Sequence, residues 1–520
     1  MVSRLALLRI IAASSTIIFL LLQGPAYSIA EPSDYSIVQP VDQPQPKRLP
    51  RQVAPKEAKI IPGEVIIKYK DQVLPSIHNL QERDHFLTKA GRTLSKQFNS
   101  ETIATYPESG WVRIKVPPGV STDTVIKTLS KDKNIEYARP NYAITLHAHI
   151  TPPPTDYLWT NHFDPIYGMP YANYAYLWGL DKIGMQQGWT LSNSQGGGVV
   201  IAILDTGIDY AHPDLVDNYL SGKKFCGSSV MDSDGHGTYV AGIIGARGNN
   251  WVSGSNSLTD MKFFVGVNRI ANVMALKIDC PEPNITDAID AINYAVAHGA
   301  AVINGSWGLY GLLETDSTVV DLKNAITAAT NTTLYVASAG NEDRNFDNCS
   351  SPTMWPQMFA LDNLIVVAAT DPSDSLWFDP PKSGSNPCPP TNKSAASNYG
   401  QNFVHLAAPG ENIWSTQPRA QYVNTGHPLT DIPLVASGTS SSAPFVAGCA
   451  ALLQARQLSL NPASPFSPNQ LKSTLMTTGT PSSALNQKVA GGKRLNCYQA
   501  LQSVQDPNNP PGPPMGLQVR

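Results

Sequence analysis

No run of lysine or arginine longer than two residues occurs in the chain, and charged residues of both signs make up only 15% of it, with a formal net charge of −3. A polyanion-binding protein needs a basic stripe or patch, so nucleic-acid binding is excluded as a main function. No Cys-x-x-Cys pair occurs among the six cysteines, which argues against zinc ligation, and the first cysteine is Cys226. After residue 22 no apolar run reaches the ~18 residues that a membrane-spanning helix requires. What the chain does have is turn formers, with 43 prolines and 38 glycines, and enough length for more than one domain.

The N-terminus carries Arg4 and Arg9, an apolar stretch at 10–22 and small residues ending at Ala30. This order reads as an export signal over 1–30, cleaved after Ala30; the alternative is an uncut membrane anchor. Residues 31–62 are proline-rich and polar and read as a linker. Residues 63–147 have their own rhythm. "EVIIKYK" (64–70), "TLSKQFN" (93–99), "GWVRIKVP" (110–117) and "IEYARPNYAITL" (135–146) are expected as strands. Residues 75–91, closed by Gly91, and 121–132, opened by Ser121, are expected as helices. The order β-α-β-β-α-β predicts a small ferredoxin-like α+β domain.

From about residue 177 the pattern changes. "GGGVVIAILDTGID" (196–209), "NVMALKI" (272–278), "AAVINGSWG" (300–308), "TLYVASAGN" (333–341) and "NLIVVAAT" (363–370) are near-continuous apolar runs separated by helix-like segments. That is the signature of an α/β domain over 148–505, with a mostly parallel sheet flanked by helices. Residues 506–520 form a proline-rich tail. Sites in such sheets gather beyond the carboxyl ends of the strands, where Asp205, Ser306 and Asn341 stand.

A serine attacks a carbonyl only when a base takes its proton and a carboxylate orients that base. The chain offers these in three segments: Asp205 in "LDTGID", His236 between glycines in "DSDGHGTYVAG", and "SGTSSSAPFVAGCAALL" at the start of an apolar helix. Among the clustered hydroxyls, Ser440 is the first serine after the threonine, near the electropositive helix start. A helical turn of ~100° per residue points Ser441 elsewhere.

With these motifs the chain resembles the subtilisin-like serine proteases, through "VVIAILDTGIDYAHPDL" (199–215), "DGHGTYVAGIIGA" (234–246), "VINGSWG" (302–308), "VASAGNED" (336–343), "HLAAPGENIWST" (405–416) and "GTSSSAPFVAG" (438–448). The resemblance covers about 63–500. It implies Asp205 as the orienting carboxylate, His236 as base and then acid, Ser440 as nucleophile, and Asn341 with the Ser440 N–H as oxyanion donors. It implies a substrate-binding edge at Ser306, Trp307 and Gly308, with Leu309 where a glycine is common. Ser441 stands where family members usually carry methionine, an exchange expected to loosen packing behind the nucleophile. Residues 63–147 are implied to be a propeptide, acting as an intramolecular chaperone and inhibitor. Its tail, 141–148, would lie in the cleft, with processing within 141–160.

The expected protein is therefore a secreted, monomeric endopeptidase acting on proteins or peptides, made as a self-processing zymogen, with no stable membrane association. A periplasmic or membrane-tethered enzyme is the alternative. No cofactor is needed for the chemistry. Calcium is a common structural ion of the family, and Asp214 in "HPDL" matches one ligand, but the insertion at 248–267 leaves the metal ligands unassigned. Six cysteines allow 15 pairings. Proximity along an exported, loop-rich chain favours Cys226–Cys280, Cys349–Cys388 and Cys449–Cys497. Glycosylation sequons stand at Asn284, Asn304, Asn331, Asn348 and Asn392.

Overall fold

A computed structural model describes residues 58–146, 149–150, 163–164, 169–170, 177–192, 198–248, 264–280, 283–348, 352–378, 395–418 and 434–504. The expected signal, most of the linker and the tail lie outside them.

The N-terminal domain is built from β1 (Ile60–Tyr69), α1 (Leu80–Phe98), β2 (Glu101–Tyr106), β3 (Trp111–Lys115), α2 (Thr122–Leu129) and β4 (Ile135–Tyr142). Its antiparallel sheet has the order β2-β3-β1-β4, which is the expected split βαβ arrangement. Two expectations fail in detail. Residues 93–98 are not a strand; they finish α1, and the strand begins at Glu101. Gly91 does not end the helix, because its bare Cα lets α1 lie against β2: a Cβ there would come within 2.7 Å of Thr102 Cγ2. The stop is Asn99, in the left-handed conformation at φ 49°. The strand β1 also starts at Ile60, inside the stretch expected as linker.

After the short strands β5 (Thr145–Leu146), β6 (His149–Ile150), β7 (Phe163–Asp164) and β8 (Met169–Pro170), the elements of the α/β domain follow. They are α3 (Trp178–Lys182), α4 (Met185–Ser192), β9 (Val200–Asp205), β10 (Tyr219–Lys224), α5 (His236–Gly245), β11 (Asn272–Lys277), α6 (Ile285–Ala297), β12 (Ala300–Gly305), β13 (Trp307–Tyr310), α7 (Ser317–Ala328), β14 (Leu334–Ser338), β15 (Met354–Trp355), β16 (Leu364–Thr370), β17 (Leu406–Pro409), β18 (Ile413–Ser415), β19 (Leu434–Ser437), α8 (Thr439–Leu460), α9 (Pro468–Thr477), β20 (Thr480–Pro481), β21 (Lys493–Arg494) and α10 (Cys497–Ser503). The main sheet has the order β10-β11-β9-β12-β14-β16-β17-β21-β20, parallel throughout except at β20.

Alternation along the central strands explains the two layers. Ile201 and Ile203 of β9 face a core with α5 and α8, whereas Ala202 and Leu204 face the core under α6 and α7. The chain leaves β9 to build β10 and β11 on one side and returns to build β12 on the other. This switch point opens a crevice beyond the carboxyl ends of β9 and β12. Disulfides Cys226–Cys280 and Cys449–Cys497 are formed as expected. They close loops of sequence separation 54 and 48, each stabilising by about 4 kcal/mol in the chain-entropy model. The expected Cys349–Cys388 pair lies outside the described residues. Asn284 and Asn304 are buried, so their sequons are closed to glycosylation in the folded chain.

Candidate active site

Asp205 is the last residue of β9, and His236 opens α5. The two meet: His236 Nδ1 lies 2.7 Å from Asp205 Oδ1, both side chains buried. The same oxygen accepts the backbone N–H of Thr206 at 2.8 Å. This pairing makes Nδ1 the protonated nitrogen and leaves Nε2, buried and without a hydrogen bond among the described residues, as the acceptor. Burial alone would lower the pKa of His236. The adjacent charge and hydrogen bond of Asp205, with Asp234 and Asp232 beyond, outweigh it and raise the imidazolium pKa above its ordinary 6.5.

The start of α5 is held by Asp232, which sequence reasoning passes over. Gly235 at the N-cap has no side chain to offer. Asp232 Oδ2 accepts from Thr238 N at 2.9 Å, and its Oδ1 accepts from Gly235 N and Thr206 Oγ1, each at 2.9 Å. An acid three residues before a helix-start glycine is the sequence signal that could have found it. The neighbouring Gly237 lets α5 close on the β9 loop, since a Cβ there would strike Gly207 O at 2.0 Å. Asp279, just after β11, is another group missed. Burial first, then the charges of Asp205 and Asp234, push its carboxyl up to about 7, against the pull of His236 and Lys277.

Ser440 is the second residue of α8, where backbone N–H groups have no partner within the helix. Beside it Asn341 is locked by its oxygen, which accepts from Thr439 N and Thr439 Oγ1, both at 2.9 Å. The amide is thus oriented with its NH2 turned away from Thr439. Gly438 makes this approach sterically feasible, since a Cβ there would stand 2.8 Å from Asn341 Nδ2. Ser441 does not leave a void. Its Oγ lies 2.7 Å from the Tyr239 hydroxyl, one turn along α5 from His236, so the two helix starts are braced side by side. Tyr239 also reaches Ile413 O at 3.0 Å. Where loosened packing was expected behind Ser440, Ser441 is thus held by a hydrogen bond to a tyrosine of α5. Ser442 donates to Pro409 O at 3.0 Å.

Ser306 follows β12, and β13 begins at Trp307. Trp307 is wholly buried, so its bulk enters the core under the edge rather than the cleft. The edge is occupied by the N-terminal domain's own tail: β5 pairs antiparallel with β13, Leu146 opposite Trp307 and Thr145 opposite Gly308. Upstream, Ile144 N donates to Pro283 O at 3.1 Å. Asp214 is buried and its Oδ2 accepts from Phe264 N at 3.1 Å, tying down one end of the insertion. Among the described residues no group of three or more His, Cys, Asp or Glu side chains is arranged to hold a metal ion. Residues 249–263, most of the insertion that leaves the metal ligands unassigned, lie outside the described residues.

The antiparallel sheet of the N-terminal domain is clamped to α6 and α7 by polar and charged contacts. Tyr106 donates to Asp287 Oδ1 at 2.6 Å, Arg113 to Asp287 Oδ2 at 3.2 Å, Ser109 to Asp290 Oδ1 at 2.7 Å, and Arg139 to Asp321 at 3.3 Å. Lys223 of β10 pairs with Glu108 at 2.9 Å.

An α/β domain that sets an aspartate–histidine pair beside a helix-start serine, with a folded N-terminal domain across its edge, defines a class of serine hydrolases kept as proenzymes. The chain belongs to the subtilase family and is a serine protease: residues 196–497 match the family model of the subtilases, and residues 46–141 match that of the fervidolysin N-terminal prodomain. It is 31% identical over 406 residues to the thermophilic serine proteinase of Bacillus sp. (strain AK1), covering 77% of this chain and 80% of that one. It is 30% identical to thermitase of Thermoactinomyces vulgaris over 62% of this chain and 95% of that one. In fold it resembles fervidolysin from Fervidobacterium pennivorans, described as a keratinolytic enzyme related to subtilisin, with a TM-score of 0.58 at 23% identity. That likeness covers 88% of this chain and 65% of the fervidolysin chain.

Proposed function

We propose that the chain is an exported serine endopeptidase, made as a zymogen that processes itself, with Ser440 as nucleophile. The observation that carries the reading is the buried Asp205–His236 contact at 2.7 Å, beside the start of the helix that bears Ser440. His236 Nε2 takes the hydroxyl proton as Ser440 Oγ adds to the scissile carbonyl, and then gives that proton to the leaving amine. Asp205 keeps the imidazole in the tautomer this needs and stabilises the imidazolium. The developing oxyanion is held by Asn341 Nδ2 and the Ser440 N–H. Water then hydrolyses the acyl-enzyme by the same steps in reverse. Export rests on the signal-like residues 1–30, and among the described residues no helix is long and apolar enough to cross a membrane. Calcium, if held near Asp214, would be structural. The reading is tested with a fluorophosphonate probe on the processed protein: labelling at Ser440 with loss of casein cleavage supports it, and unlabelled active protein overturns it.

Asn341→Ala should separate binding from chemistry. Its amide meets a full negative charge only along the reaction path, so kcat is expected to fall by roughly 10²–10³ while KM stays nearly unchanged. Steady-state kinetics on a peptide substrate checks this; an increase in KM with kcat intact would make Asn341 a binding residue.

The prodomain is the proposed inhibitor, and its clamp carries a pH dependence. Asp290 is buried against Ser109 and Glu108 of the prodomain, Lys223 of β10, and Asp287 and Asn293 of its own helix. Burial first, then Glu108, push its carboxyl up to about 7. Released, Asp290 returns toward the ordinary ~3.9 of an exposed aspartate. The complex therefore holds a proton that the separated parts lose, and its affinity falls as pH rises between those values, by up to about tenfold per pH unit. Above pH 7 the loss levels off. Size-exclusion of the processed, still associated protein between pH 5 and pH 8 should show prodomain release increasing with pH, and Asp290→Asn should flatten the dependence.

A further inference from the structure

Asn341 stands in a turn, 339–344, that follows β14. Two residues of this turn take the left-handed conformation, Gly340 at φ 96° and Asp343 at φ 58°. A backbone of this kind keeps its shape only when its surroundings fix it. The segment 396–398 does so first through its main chain. Ala396 N donates to Asn341 O at 3.1 Å, Asn398 N to Gly340 O at 2.9 Å, and Asp343 N to Ala396 O at 3.0 Å. The Asn398 side chain, wholly buried, completes the fit. Its Oδ1 accepts from Glu342 N at 3.0 Å and from Arg344 N at 2.8 Å. Its Nδ2 donates to Ala339 O at 3.0 Å and to Glu342 Oε2 at 2.5 Å. Both acceptor sites and both hydrogens of the amide are thus used. The opposite orientation would set NH2 against two N–H donors, and Oδ1 against a carbonyl and a carboxylate, so the amide cannot turn over. Gly340 leaves room for it, since a Cβ there would stand 2.5 Å from Asn398 Nδ2.

The same network reaches three elements around the crevice. Ser397 anchors it to the main sheet: its Oγ accepts from Ala369 N of β16 and donates to Asn398 O, each at 2.9 Å. Glu342 carries it sideways. Its Oε1 accepts from the Tyr310 hydroxyl at 2.6 Å, and Tyr310 ends β13, the strand on which the tail of the N-terminal domain pairs. On the other side Gly340 N donates to Thr439 Oγ1 at 2.9 Å, at the start of α8. We infer that Asn398 is a positioning residue for the oxyanion donor Asn341, and that Glu342 and Tyr310 hold the edge strand β13 in register with it. The inference rests on Asn341 acting as proposed above. Thr439 sets how the Asn341 amide is turned. Asn398 sets where the backbone of Asn341 stands. A donor stabilises an oxyanion only at about 2.7–3.1 Å from the place where the charge develops. A turn that relaxes by ~1 Å therefore forfeits much of what the donor supplies. Asn398 is buried with all four of its amide bonds spent on the turn, so it acts on the reaction only through Asn341.

The test is steady-state kinetics on a peptide substrate with Asn398→Ala, Asn341→Ala and the double variant, each brought to its processed form by a trace of native enzyme that is then removed. Asn398→Ala should lower kcat by about 10–100-fold, less than loss of the donor itself, with KM within about threefold of native. In the Asn341→Ala background the same exchange should change kcat by less than about threefold, because the donor it positions is gone. Losses that multiply in the double variant would overturn the inference while leaving Asn341 as the donor. A rise in KM with kcat intact in Asn398→Ala would overturn it in favour of a role in substrate binding. Unchanged kcat in Asn341→Ala would overturn the oxyanion reading and the inference together. If Asn398→Ala does not fold, Glu342 carries the test. Glu342→Ala should lower kcat by about 3–10-fold at unchanged KM, the worth of one lost hydrogen bond, and only where Asn341 is present. Glu342→Gln keeps an oxygen for Asn398 and an amide for the Tyr310 hydroxyl, and should recover most of that loss. Equal losses in the alanine and glutamine variants would overturn the inference.

Discussion

Replacing Ser440 by alanine is expected to abolish turnover, by roughly 10⁶-fold if the loss follows that of subtilisin's nucleophile, and to leave the prodomain uncut. Three serines stand in a row, and their surroundings separate them. Ser441 Oγ is engaged by the Tyr239 hydroxyl, and Ser442 donates to Pro409 O. Both serve packing between α8 and its neighbours. Ser440 alone sits at the second position of α8 next to the residue that locks Asn341. Ser441→Ala and Ser442→Ala should therefore keep activity within a few fold and cost about 1 kcal/mol of stability each, the ordinary worth of a buried hydrogen bond. Ser441→Ala is the milder of the two, because Tyr239 keeps its bond to Ile413 O. Casein cleavage and thermal unfolding of the three variants check the set. Activity that survives in Ser440→Ala and disappears in Ser441→Ala would move the nucleophile by one residue.

The contrast between the three serines also marks where sequence reading stops. The meeting of Asp205 and His236 was legible because one stands at a strand end and the other at a helix start, each in a motif that repeats nowhere else in the chain. The parallel sheet was legible because strands such as "VIAILD" are apolar on both faces. The Tyr239–Ser441 brace was not, since it joins residues some two hundred positions apart and replaces one packing solution by another. Nor was the Asp232 cap, whose partners lie on two different elements. The false strand at 93–98 has a simpler cause. Gly91 looks like a helix stop, and only its contact with Thr102 shows that the glycine is there for packing. The carboxylates that hold the prodomain, Asp287, Asp290 and Asp321, look in sequence like the solvated face of ordinary helices. They became visible as a clamp only when β2, β3 and β4 were laid against them.

Asp205→Asn is the second substitution with a very large expected effect, about 10⁴-fold in kcat by analogy with the serine-protease example in which the same exchange was made. The geometry need hardly change, since asparagine is isosteric with aspartate. What changes is the proton. With Asp205 as acceptor, His236 carries its hydrogen on Nδ1 and offers Nε2 to Ser440. An asparagine can turn its NH2 toward Nδ1, which then becomes the acceptor and puts the hydrogen on Nε2, where it cannot take the serine's proton. The imidazolium also loses its largest stabilising influence. Burial lowers the pKa of His236 and Asp205 is the main group raising it, so in Asp205→Asn that pKa must move down. The sign follows directly for the pH profile. In the native enzyme His236 is protonated and inactive below its raised pKa, so kcat/KM climbs with pH through a limb above 6.5. In the variant the residual activity should reach its plateau at lower pH. The same shift bears on stability: a pKa raised by folding contributes stability below the unfolded value of His236 that is lost as pH rises through the folded one. The variant should therefore gain less than the native protein from acidification across that window. A pH series of kcat/KM beside urea unfolding at pH 6 and pH 8 checks both. A variant with low activity but an unmoved acid limb would show that another group, Asp279 first among them, sets the limb.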